Sequence, residues 1–113
     1  MAAIEEAVDI YRALAAVRPD AFRPDLARSL WALADRLDEN GDLPGGMEAT
    51  AEAIRVLAVP FLQLPAAFAQ RMAQMTEAYQ QRCEILERAP DADLLAPIVA
   101  ALKRLPSQKE NRT

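Results

Sequence analysis

The chain has 113 residues, of which 52% are apolar and 27% charged, with a net charge of −4. That is apolar enough to fold around a real core rather than remain a disordered tail, and the acidic balance disfavours a nucleic-acid phosphate partner. There is no histidine and one cysteine, Cys83, which excludes histidine-dependent catalytic triads, zinc sites built on imidazole or several thiolates and any internal disulfide.

The elements follow in chain order. The opening "MAAIEEAVDI" is acidic where a signal peptide would be basic, and a reducing cytoplasmic compartment is the simplest expectation for a lone cysteine. A first helix is expected over about 2–17, with Ile4, Val8, Tyr11, Leu14 and Val17 at helical spacing. A second is expected from about Pro24 to Glu39, striped by Leu26, Leu30, Leu33 and Leu37 and closed by the left-handed cap that Gly41 favours. The third begins near Pro44 and carries Met47, Ile54, Leu57, Phe61 and Leu64, with Pro60 expected to kink it or cut it short. The fourth, about 66–87, carries Phe68, Met72, Met75, Tyr79 and Leu86. The fifth, about 91–104, carries Leu94, Leu95, Ile98, Val99 and Leu102, with Pro97 tolerable because it lies early. The tail from 106 to 113 is polar. No segment alternates with the period of a strand. The longest apolar stretch, "VLAVPFLQLPAAFA", is too short and too broken by proline to span a bilayer.

An internal echo organises these elements. "RPDAF" at 18–22 returns as "LPAAF" at 64–68. At that 46-residue shift Ala3 falls on Ala49, Glu6 on Glu52, Ala7 on Ala53, Val8 on Ile54, Pro19 on Pro65, Phe22 on Phe68 and Pro44 on Pro90. Prolines punctuate helices, so two proline pairs at one period imply recurring helix boundaries. Amphipathic helices joined by short loops bury their stripes by stacking as antiparallel hairpins.

The stretch "PDLARSLWALADRLDENGDLPGGMEATAEAIRVL", residues 24–57, resembles a tetratricopeptide repeat, most closely the long-loop variety of kinesin light chains and many bacterial arrays. Leu30, Leu33 and Leu37 match the large apolar positions of the first helix of that pattern, and Ala34 its small position. Gly46 and Ala53 match the small positions of the second helix, where two helices cross closely. Thr50 departs from the pattern, which prefers an aromatic there, and Gly45 with Gly46 weakens a helix start. Gln80 stands where the shift would repeat Ala34. The resemblance implies an all-α right-handed solenoid of about five helices in one domain over 1–105: a half repeat at 2–17, a repeat at 24–64 and a degenerate capping repeat at 66–104. It also implies a chain that starts in mid-repeat, either as the C-terminal piece of a longer array or with self-association through the first helix. On this expectation the face of Ile4, Val8 and Tyr11 is left partly covered.

In that family the first helix of each hairpin lines a groove. Carried over from Ala34, the groove positions are Arg28, Trp31, Asp35 and Asp38, and at the shift Gln74, Glu77, Gln81 and Glu84. A tryptophan and an arginine among carboxylates suit a protein or peptide segment with basic residues, although Trp31 packed between hairpins is the other reading. Cys83 reads as a small core residue. The pairs Asp35–Asp38 and Glu84–Glu87 read as solvated helix faces rather than an acid–base dyad. "GDLPGG" lacks the Lys-Ser or Lys-Thr of a phosphate loop. No cofactor, metal, membrane or nucleic acid is expected, and no catalysis. The function expected is an interaction scaffold, with a structural cap of a repeat array as the alternative.

Overall fold

A computed structural model describes residues 2–105, so the expected polar tail at 106–113 lies outside the described residues. The described chain is all-α: α1 (Ala2–Val17), α2 (Pro19–Glu39), α3 (Leu43–Gln63), α4 (Pro65–Ile85) and α5 (Ala92–Arg104). Each of α1 to α4 packs on the next, and α5 lies more lightly against α4 and α3. The shared core holds Leu26, Leu30, Ile54, Leu57, Phe61, Met72, Met75 and Ile98.

The 46-residue echo is written into the backbone. α2 and α4 both run 21 residues, and both open on proline at the first helical position, Pro19 and Pro65. Proline suits that position because its missing N–H would find no partner there in any case. The residues before them adopt nearly one conformation: Arg18 has φ −132° and ψ 77°, Leu64 φ −134° and ψ 70°. Both helices also end alike. After α2, the Gly41 N–H donates to Asp38 and that of Asp42 to Leu37; after α4, the Glu87 N–H donates to Glu84 and that of Arg88 to Cys83. These are matching left-handed caps, with φ +85° at Gly41 and +55° at Glu87. Glycine meets that geometry freely, whereas Glu87 meets it against its own Cβ.

Two expectations are corrected. α2 begins at Pro19, not Pro24, and Pro24 lies inside it. α3 runs through Pro60 to Gln63, so Pro60 does not cut it short. Proline cannot donate to the carbonyl four residues back, and Arg23 of α2 replaces that bond by donating through Nε to the Val56 carbonyl at 3.0 Å. The face of Ile4, Val8 and Tyr11 is partly covered by α2. Val8 is buried, Ile4 and Tyr11 are half-buried, and the Tyr11 and Phe22 rings lie 6.4 Å apart. The large apolar residues of α1 left exposed are Ile10, Leu14 and Val17.

Small residues govern the α2–α3 crossing. Ala27, Ala34 and Ala53 are wholly buried. Their counterparts in α4 differ: Ala73 and Gln80, which correspond to Ala27 and Ala34, are exposed. Ala34→Leu and Ala53→Leu should therefore each lower stability by about 1–3 kcal/mol through overpacking, measured as a shift in the urea midpoint. Gln80→Leu, at the equivalent place on an open face, should change it by less than about 0.5 kcal/mol.

Candidate functional site

The face shared by α2 and α4 is organised by Arg82, which sequence reasoning did not single out. Its side chain is 13% exposed and bridges three helices. Nε donates to Asp38 Oδ2 at 2.6 Å, Nη2 to Asp35 Oδ1 at 2.9 Å and Nη1 to Thr50 Oγ1 at 2.8 Å. The Thr50 hydroxyl in turn donates to the Gly46 carbonyl at 2.8 Å. A planar guanidinium suits this because its donors point in fixed, separate directions. Thr50 thus supplies a buried hydroxyl that accepts from Arg82 and is itself closed onto the backbone of α3.

Asp38 is seated by a glycine. A Cβ on Gly46 would collide with Asp38 Oδ1 and stand 3.1 Å from the Ala34 carbonyl oxygen. With no Cβ there, Asp38 Oδ1 lies buried against the first turn of α3, where it accepts no hydrogen bond. The positive end of that helix's dipole and the Arg82 charge compensate it.

The predicted groove residues divide around this bridge. Asp35 and Asp38 are brought to the α2–α4 seam, each paired with Arg82. Arg28 is exposed and pairs with Asp25 one turn earlier. Trp31 is half-buried against the core cluster, between the two sequence readings of it. On α4, Gln74, Glu77, Gln81 and Glu84 are exposed, with Gln81 donating to Glu77 at 3.5 Å. The two rows meet through Arg82 at their C-terminal halves.

A cleft of about 280 Å³ lies where α2 and α4 begin and α3 ends, lined by Pro19, Arg23, Val59, Pro60, Leu64 and Phe68 among others. Arg23 is committed there to the α3 carbonyls. Cys83 is buried beside Tyr79, whose hydroxyl accepts the Asp91 N–H at 3.0 Å and so anchors the start of α5. Burial, with a contribution from Cys83, raises the Tyr79 phenol above its usual range. Among the described residues no three metal-binding side chains gather, and no helix is long and apolar enough to cross a membrane.

Comparison with protein families, with curated proteins and with solved structures gave no match to this chain.

Local spacing does not reveal Arg82, because its partners Asp35 and Asp38 lie on another helix more than forty residues away. The available signal was the paired oddity of Gly46 and Thr50. Gly46→Ala should lower stability by about 1–3 kcal/mol by displacing Asp38, even though alanine is the better helix former by about 1 kcal/mol. In an Asp38→Ala background the same change should be close to neutral or stabilising. Chemical unfolding of the four proteins measures both effects.

Proposed function

We propose that this chain is a tetratricopeptide-like interaction module of the cytoplasm, with no catalytic step, that holds a Lys- or Arg-bearing segment of another protein along the α2–α4 face. The observation that carries the reading is the bridge at Arg82. It fixes two helix rows side by side with Trp31 half-buried on one of them and Glu77 and Glu84 exposed on the other. The two rows carry Asp35, Asp38, Glu77 and Glu84 against Arg28 and Arg82. Carboxylates therefore remain in excess after Arg82 is paired, and a negative rim speeds encounter with a cationic segment. A half-buried aromatic is the anchor such surfaces favour.

A second reading, the closing end of a helical stack, is favoured by an asymmetry between the two ends. α1 leaves Ile10, Leu14 and Val17 exposed, whereas α4 presents the exposed Gln80 where α2 buries Ala34. A polar outer face is what ends a stack of repeats.

Trp31 is the only tryptophan, so its fluorescence tests the groove reading directly. Titration with a Lys/Arg-rich peptide should shift its emission, and the response should weaken as salt rises. Glu77→Lys with Glu84→Lys should reduce the affinity by about tenfold or more. An emission spectrum indifferent to basic peptides, or a response unchanged by the two charge reversals, would count against the groove.

A further inference from the structure

We infer that the outer face of α1, together with Arg36, is a docking site for an amphipathic helix of α2's own pattern, one that carries small residues along its contact stripe and two carboxylates three residues apart. The inference is independent of the groove reading, because it uses a different face.

The internal repeat identifies the surface. α1 ends at Val17 and α3 at Gln63, 46 residues apart, as are Arg18 and Leu64, which begin the next turn of the chain. In α3 the residues facing α2 are known from their contacts. Gly46 meets Asp38 and Ala34, the Val56 carbonyl meets Arg23, and Pro60 shares the cleft with Pro19 and Pro24. Ala49 and Ala53 lie on the same stripe and are buried. The shift carries Ala49, Ala53, Val56 and Pro60 back to Ala3, Ala7, Ile10 and Leu14 of α1. There the same stripe is open, with Ile10 58% and Leu14 38% exposed. The four residues recur at alternating intervals of four and three, a seam that suits one packed helix. Ala7 stands where Ala53 permits the close crossing.

Charge supplies a second and separate observation. The shift that carries α4 to α2 carries Arg82 to Arg36. Arg82 reaches across to Asp35 and Asp38 on α2, two helices earlier in the chain. Arg36 occupies the same place on α2, yet its side chain is 56% exposed and lies 4.0 Å from Glu39. A helix laid on α1 as α2 lies on α3 would place its own acidic pair, at the positions of Asp35 and Asp38, before Arg36. Apolar stripe and cation therefore select one chemistry of partner. One helix face about 24 Å long (16 residues at 1.5 Å each) is smaller than a standard interface, so affinity in the micromolar range is expected.

The test uses the intact chain and a labelled peptide of residues 19–39, held helical by a staple on its polar face. Fluorescence anisotropy should show saturable binding. Ile10→Glu with Leu14→Glu should weaken it by about tenfold or more, with circular dichroism showing the fold retained. Arg36→Glu should weaken it several-fold, and a peptide with lysine at both acidic positions should bind the Arg36→Glu chain better than the parent peptide does. The proposal is overturned by no saturable binding, by binding indifferent to Ile10, Leu14 and Arg36, or by lysine substitution failing to restore it. It is also overturned if sedimentation shows the chain dimerising through this face, since the occupant would then be a second copy.

Discussion

The closeness of α2 and α3 at Gly46 is the constraint on which the rest of the structure depends. With no Cβ at that position, the Ala34 carbonyl and the Asp38 carboxylate lie directly against α3. The carboxylate is then aimed at α4, where Arg82 takes it. Close packing within one hairpin thereby sets the position of the next helix. A side chain at Gly46 would move Asp38, and Arg82, only 13% exposed, would lose a partner it needs because a guanidinium removed from water must be paired. Thr50 completes the arrangement by giving Arg82 a neutral acceptor on α3 and closing its own hydroxyl proton onto the backbone.

This chain of contacts also separates the two ends of the molecule. Toward α4 the close-packing positions open out: Gln80 and Ala73 face solvent, and α5 is tied in mainly by the Tyr79 hydroxyl at its first turn and by Leu95, Ile98 and Ala101 in the core. Toward α1 the repeat keeps them, with Ala3, Ala7, Ile10 and Leu14 reproducing the stripe that α3 buries. An end that keeps its packing surface and an end that discards it have different physical roles. The first leaves the apolar side chains of Ile10 and Leu14 open; the second turns Ala73 and Gln80 to solvent.

Much of the fold was legible in the sequence because helix punctuation is local chemistry. Pro19, Pro65 and Gly41 mark boundaries whatever the rest of the chain does, and the 46-residue spacing of the two prolines is the spacing of the helix starts they open. What was misread involved a partner distant in sequence. Pro60 reads locally as a kink or an early end of α3, because the donor that replaces its missing N–H at the Val56 carbonyl is Arg23, 37 positions before Pro60. Pro24 marks a helix start by its local chemistry, yet α2 begins five residues earlier at Pro19 and runs through it. On α1 the apolar residues wrap more than one face, and periodicity alone did not decide which of them α2 would cover. The sequence does not show the cation between α2 and α4, since Asp35 and Asp38 look like solvated carboxylates until Arg82 is seen beside them.

The coupling between Asp38 and Arg82 tests the central claim most directly, that one carboxylate seated by Gly46 joins one repeat to the next. A double-mutant cycle of Asp38→Ala and Arg82→Ala, read by urea unfolding, isolates it. A pair this sheltered should show a coupling energy of about 1–3 kcal/mol, with each single change more harmful than the second change made in its background. A coupling energy indistinguishable from zero would show that the bridge does not join the helices, and the stack would have to be held by its apolar core alone.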